Sequence, residues 1–504
     1  MRALRIIAPV VVLCAAATIV VLATGAGGSA RPRREGTHVS VDWSTCSGYK
    51  ALQCAKIPVP LVYGHPSEGT VELAVAMLPS TSAHPKGDIF TNPGGPGGSG
   101  VQFLEQTYSV FPKALRAEFN IVSWDPRGIG ASTPPVTCDT PSQLIAFARV
   151  TPNPGNTGQI NSVVKATKSY VRDCVKKTPK RLLENVGTRV TIEDLDTLRA
   201  DLGQKKLNYI GFSYGTFLGE LYAQRYPSHI RTMVLDGVIN PALGLVGSDR
   251  QQATGFEGDL HAFFSWCDAN ASCHKELPKG AETEYDTLIS RFSSGESEDA
   301  YFKPQFGGTQ RVTLGDAYLG VISSLYSKSY WPILGQAIQQ SLQGNGDYLL
   351  ELAFSYLGLN PNGTWSNEEA ANVAINCVDS PSPRGLSFYE NLARELAKTA
   401  PDFGAAEAWG SLACAYWPIP AAGRPQAIHA PGTPKILVVG STDDPATPYV
   451  WAQAVSHQLD NSELLTRDGS GHTAYFFSAC IRTDVDNYFM TAKVPPPNTV
   501  CPSN

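Results

Sequence analysis

Leu207-Asn208-Tyr209-Ile210-Gly211-Phe212-Ser213-Tyr214-Gly215-Thr216 is a short apolar strand that runs into G-x-S-x-G and then into a helix. That is the layout of a nucleophile elbow. Gly211 and Gly215 carry no Cβ, so the backbone can reverse sharply and leave the Ser213 hydroxyl exposed at the C-terminal edge of a sheet. Downstream, Phe217, Leu218, Leu221 and Tyr222 share one helical face, and Pro227 lies past the helix end. G-x-S-x-G alone arises often by chance in a glycine-rich chain; the strand before it and the helix after it give it weight.

Around the elbow, strand and helix signals alternate from His38 to about Asn240, as in α/β folds. Val71–Leu78, Asp88–Phe90, Asn120–Trp124 and Thr232–Asp236 read as strands. Thr191-Ile192-Glu193-Asp194 opens a helix with a capping-box-like pattern, and Ile192, Leu195, Leu198 and Leu202 fall on one face. From about Leu243 to Pro420 the pattern changes to helical stretches with two cysteine pairs and many aromatics, without short buried strands. Strand signals return at Lys435–Val439 and Glu463–Thr466. The expected architecture is a mostly parallel central sheet flanked by helices, with an inserted, mainly helical cap. The chain divides into residues 1–30, a first core part (38–242), the cap (243–420) and a second core part (421–504).

A serine nucleophile needs a base, a group that orients the base, and donors for an oxyanion. Asp443 and Asp444 follow a buried strand, and Asp468-Gly469-Ser470-Gly471-His472 follows the next. Asp444 is the preferred acid, with Asp443 its close rival and Asp236 a weaker one at another strand end. The order Ser213, Asp444, His472 is that of α/β-hydrolases. His229, His261 and His457 read as structural. The loop Asn92-Pro93-Gly94-Gly95-Pro96-Gly97-Gly98-Ser99-Gly100 bares backbone N–H groups suited to an oxyanion hole. The amide of Gly95, or of Gly94, would act there with that of Tyr214. Gly95 to Gly100 also satisfies G-x-G-x-x-G, and Asp125 ends the next strand, so a dinucleotide site is the competing reading; it leaves the triad unexplained.

The 504 residues predict two or three domains, and a formal net charge of −5 leaves no basic footprint for nucleic acid. Met1-Arg2-Ala3-Leu4-Arg5, the apolar run from Ile6 to about Ala23 and the small residues through Ala30 form a signal-peptide pattern. Retention of this segment would instead hold the protein at the cell surface; after its removal no stable membrane partner is expected. Of eleven cysteines, Cys14 falls in that segment, and the other ten suit an oxidising compartment. Spacing favours Cys46 with Cys54, Cys138 with Cys174, Cys267 with Cys273, Cys377 with Cys414 and Cys480 with Cys501, other connectivities staying open. No C-x-x-C supports a zinc or redox site.

These motifs resemble the tripeptidyl and prolyl aminopeptidase branch of the α/β-hydrolases, especially the secreted tripeptidyl aminopeptidases of actinobacteria. Asn92–Gly97 is similar to their oxyanion loop, Asp125-Pro126-Arg127-Gly128-Ile129-Gly130-Ala131-Ser132 to their D-x-R-G-x-G-x-S stretch, and Gly211–Thr216 to their elbow. Ile375-Asn376-Cys377-Val378-Asp379 and Asp444-Pro445-Ala446-Thr447-Pro448 are also similar. The doubled Asp443-Asp444 and a cap matched by little beyond its cysteines depart from the pattern. The resemblance implies a secreted serine exopeptidase that needs no metal or organic cofactor and cuts short peptides from free N-termini. An esterase or amidase acting on a small molecule, or a non-catalytic binding protein using the cap pocket, are the alternatives. An exopeptidase that counts residues should offer a carboxylate to the substrate ammonium; Glu257, Asp259, Glu276 and Asp379 are the candidates.

Overall fold

In the computed structural model, which describes residues 41–301, 309–360 and 363–503, twelve strands follow in chain order. They are β1 (Ser44–Cys46), β2 (Tyr49–Pro60), β3 (Thr70–Leu78), β4 (Gly87–Asn92), β5 (Phe119–Trp124), β6 (Leu207–Phe212), β7 (Ile230–Asp236), β8 (Glu298–Tyr301), β9 (Thr309–Val312), β10 (Ile436–Asp443), β11 (Ser462–Ser470) and β12 (Val500–Cys501). The export segment expected over 1–30 lies outside the described residues. Ten strands form one sheet in the order β1-β2-β3-β5-β4-β6-β7-β10-β11-β12. Strands β1, β2, β3 and β5 pair antiparallel, and every pairing from β5 onward is parallel. This is the α/β-hydrolase architecture, with helices on both faces of a mostly parallel sheet.

Burial explains the sequence pattern. Strand β6 is buried at all of its positions, so it reads as an unbroken run rather than an alternation. The chain passes from β4 to β5 on one side and returns to β6 on the other. Strand order therefore reverses at β4, and the C-terminal edge at such a reversal is where α/β sheets form crevices. The glycine loop leaves β4 there, beside the elbow that leaves β6.

Two expectations are corrected. The helix read as opening at Thr191 opens at Thr188 and runs to Asp201, with no side-chain cap from its N-cap residue Gly187. Its first N–H is met from far along the chain, by Asp379 Oδ1 at 2.9 Å. Thr191 is interior and turns its hydroxyl back to the Gly187 carbonyl. The second concerns the region between β7 and β10, which holds a small antiparallel sheet of β8 and β9 among its helices. These are short strands that its helical pattern did not announce.

That insert has its own apolar cluster, built on Phe256, Leu260, Phe263, Trp331 and Leu334. Its later part is not separate from the sheet: Ala371, Ile375 and Val378 of the helix Glu368–Asp379 join the cluster that buries Leu218 and Tyr222 behind the elbow. Arg127, fully buried, forks onto Asp194 at 2.7 Å through Nε and Nη2 and also donates to the carbonyls of Pro60, Leu61 and Asn185. It ties the loop after β5 to the helix Thr188–Asp201. Five disulfides join Cys46–Cys54, Cys138–Cys174, Cys267–Cys273, Cys377–Cys414 and Cys480–Cys501.

Candidate active site

Ser213 sits between β6 and the helix Tyr214–Arg225 with φ 54° and ψ −127°, a conformation that a residue with a Cβ adopts only when its surroundings enforce it. They do so through main-chain bonds: Ser213 N–H donates to the Asp236 carbonyl at 3.0 Å, and its own carbonyl accepts from Thr216 N–H and Oγ1. A Cβ on Gly211 would lie 2.2 Å from the Gly215 carbonyl oxygen, so only glycine permits this turn. One on Gly94 would lie 2.9 Å from Ser213 Cβ, which shows how closely the glycine loop rests on the elbow.

Successive residues leaving a strand point to opposite faces. Asp443, the last residue of β10, is exposed, while Asp444 turns inward and is buried. Asp444 Oδ1 accepts from Ala446 and Thr447 N–H, and Oδ2 from Thr447 Oγ1 and Thr473 N–H. Both oxygens face His472 Nδ1, at 2.9 and 3.0 Å. His472 is buried, donates its own N–H to the Tyr326 carbonyl at 2.8 Å, and meets the Tyr326 ring edge-on. Its Nε2 is buried without a protein partner among the described residues. Burial disfavours the imidazolium, but the Asp444 charge and hydrogen bond, with a further contribution from Asp236, outweigh it and leave the His472 pKa above its ordinary value.

Gly94 N–H is taken by Asn92 Oδ1 at 3.0 Å, which leaves Gly95 as the donor candidate in the glycine loop. Tyr214, at the first position of its helix, has an N–H without an intrahelical acceptor. Gly95, Pro96 and Tyr214 border a cavity of about 480 Å³ whose other walls come from the insert and from the helices Pro141–Ala148 and Thr157–Lys177 with the loop between them. Asp125 accepts from Ser99 Oγ, Val101 N–H and Ala131 N–H, so it braces the glycine loop and is not offered to a ribose.

Of the carboxylates considered for an ammonium, Asp379 borders this cavity, but it accepts from both the N–H and the hydroxyl of Thr188. Glu257, Asp259 and Glu276 are not among the cavity's lining residues. Glu257 accepts from the Asp402 N–H, and Glu276 stands on the short helix Ala271–Glu276. Asp259 is buried with both oxygens unpartnered among the described residues, and burial, then the charges of Asp444 and Asp443, push it up to about 8. The cavity also presents Glu369, Glu407 and Asp249, none of which the sequence reading singled out; Asp249 Oδ2 accepts from Ser411 Oγ at 2.7 Å. Asp249 is pushed up to about 7 by burial, and Glu407 up to about 8 by burial and by Asp249. They lie on helices 244–269, 368–379 and 404–410, and no local pattern marks them as facing one space. Thr447 was also missed, though an Asp followed three residues later by Thr is a spacing from which a carboxylate-centred turn could have been read.

A family model described as "TAP-like protein" matches residues 400–501. The serine protease Hip1 of Mycobacterium tuberculosis is 32% identical over 490 residues, covering 94% of this chain and 93% of its own length. A tripeptidyl aminopeptidase of Streptomyces coelicolor is 30% identical, with 94% and 88% covered. A carboxylesterase B of Mycobacterium tuberculosis is 31% identical, with 91% and 89% covered.

Proposed function

The chain belongs to the tripeptidyl aminopeptidase-like family of α/β-hydrolases and is a serine hydrolase, and from that premise we propose that it is an exported serine exopeptidase. It releases short peptides, tripeptides foremost, from free N-termini. The observation that carries this reading is the state of His472, with one ring nitrogen held by Asp444 and the other buried without a partner. That is the condition of a base oriented to take a proton.

Ser213 Oγ attacks the scissile carbonyl while His472 Nε2 takes its proton. Asp444 holds the proton on Nδ1 and stabilises the imidazolium. The N–H groups of Gly95 and Tyr214 receive the oxyanion. His472 then protonates the departing amine, leaving an ester on Ser213. Water, deprotonated by the same Nε2, cleaves that ester and frees the acyl peptide. In the cavity, the carboxyls of Asp249 and Glu407 support recognition of a free α-ammonium, which would pair with the charges that burial otherwise disfavours. Five disulfides support an oxidising destination, and no helix among the described residues is long and apolar enough to cross a membrane.

The test is mass spectrometry of products from matched peptides with free and acetylated N-termini. Stepwise loss of tripeptides from the free forms alone is expected; cleavage of both forms alike would sink the N-terminal reading. The similarity to a carboxylesterase favours one second reading, a small-molecule esterase, because the same triad cleaves both bond types. Turnover of p-nitrophenyl esters with every peptide left intact would select it.

A further inference from the structure

Asp236, at the end of β7, is fully buried and makes contacts on both sides of the reaction centre. Its main-chain carbonyl accepts the Ser213 N–H at 3.0 Å. Its carboxylate accepts the N–H of Ala474 at 3.0 and 3.1 Å and that of Tyr475 at 2.8 Å, the second and third residues beyond His472. Those three contacts occupy the carboxylate from the side of the His472 loop, so it lies close to the imidazole without bonding it. The next residue, Gly237, is close enough that a Cβ there would lie 3.3 Å from His472 Cε1.

The loop needs holding. Thr473 has φ 63°, a left-handed conformation disfavoured for a β-branched residue. Its N–H is fixed by Asp444 and its carbonyl by Arg467 Nη1 at 3.2 Å, Arg467 being buried on β11. Asp236 adds two anchors, the N–H groups of Ala474 and Tyr475, immediately after the strained residue.

We propose that Asp236 is a positioning residue for the reaction, a single residue whose main chain holds the nucleophile and whose side chain holds the base. It acts through Ser213 and His472 and touches no substrate, and the inference rests on the Ser213–His472–Asp444 reading. A strand end is rigid, so both partners are registered against one fixed point. A reacting pair displaced by about 1 Å can lose on the order of a hundredfold in rate. Asp236 also acts by charge. The groups facing His472 are Asp444 from the loop after β10, Asp236 from β7 and the Tyr326 ring from the insert; Arg467 of β11, through Asp236 and Asp444, and Asp259 and Lys328 of the insert act on that set from further out. An ionised Asp236 favours the imidazolium.

Asp236→Asn keeps the shape, removes the charge, and turns an NH2 toward a main-chain N–H that had an acceptor. The expected result, per active site counted with a fluorophosphonate, is kcat lower by roughly ten- to a hundredfold with KM little changed. The acid limb of kcat/KM should move to lower pH, since a charge favouring the imidazolium is gone. A residue serving stability alone would lower the yield and Tm but leave both kcat per site and the limb in place, and that outcome overturns the proposal. Asp236→Glu, which keeps the charge and shifts it by one methylene, should lower kcat without moving the limb. It also serves if the Asn variant does not fold, and full kcat in it overturns the proposal. Ser213→Ala and His472→Ala are run beside them. If these retain turnover, the triad reading falls and this inference with it; if they are inactive while Asp236→Asn is fully active, only the role of Asp236 falls.

Discussion

The two walls of the cavity are built by different means. The sheet side, where the elbow and the glycine loop border it, is set by main-chain contacts so close that a Cβ at Gly211 or Gly94 could not be accommodated. The insert side is set by helices packed through Phe256, Leu260, Phe263 and Trp331, whose side chains can exchange for others of like volume. The difference separates chemistry from selection. One wall tolerates few residue types and ends at Tyr214, next to Ser213, while the other tolerates many and presents Asp249 and Glu407 to whatever enters. The insert also touches the His472 loop, where the His472 N–H donates to the carbonyl of Tyr326, itself a lining residue.

The comparison breaks most plainly at Ser213. Ser213→Ala should lower kcat by a factor on the order of a million with Tm unchanged, measured on a peptide substrate. Residual turnover within a hundredfold of wild type would remove Ser213 from the chemistry. Next is the buried pair behind the sheet side: Asp194→Asn strands Arg127 and should cost about 3–5 kcal/mol of stability in denaturant unfolding. A loss below about 1 kcal/mol would mean the pair is not buried in solution.

On the insert side, at about pH 8, where Glu407 ionises, Glu407→Gln should raise KM for peptides with a free N-terminus by about tenfold and leave kcat and ester hydrolysis nearly unchanged, the loss of one charge contact. An equal change for acetylated peptides would place Glu407 outside N-terminal recognition.

The pH dependence separates the walls again. His472 must be neutral to act as base, and its pKa is raised, so kcat/KM should fall as pH drops through a value above about 6.5. Asp249 and Glu407 have raised pKa values of about 7 and about 8, so they are protonated below those values and ionise above them. KM for free peptides should therefore fall as pH rises through that window, until the substrate amine itself deprotonates near about pH 8. A KM flat across the window would argue against both carboxyls.

The smallest effect is expected at Asp443, exposed beside its buried neighbour. Asp443→Asn should change kcat/KM by less than about twofold, as surface substitutions usually do. A large loss there would reopen the assignment of the acid.

Much of the sheet was legible because buried parallel strands write themselves as apolar runs, and because G-x-S-x-G between a strand and a helix has one economical geometry. Spacing likewise favoured neighbouring cysteine partners. The helix start at Thr188 was not legible, since its first N–H is satisfied by Asp379, almost two hundred positions away, and no local cap records it. Nor were β8 and β9, or the convergence of Asp249, Glu369 and Glu407, because helices reveal which face is apolar but not which polar residues of different helices meet.

The sequence by itself determined the elbow, the glycine loop and the order in which serine, aspartate and histidine follow strand ends, since each depends on residues a few positions apart and on backbone sterics. Tertiary structure alone decided that Asp444 rather than Asp443 meets His472, that Asp236 spans Ser213 and the His472 loop, and which acids face the cavity. Those outcomes depend on the direction in which a strand ends and on how helices pack, and both are set by contacts between residues far apart in the chain.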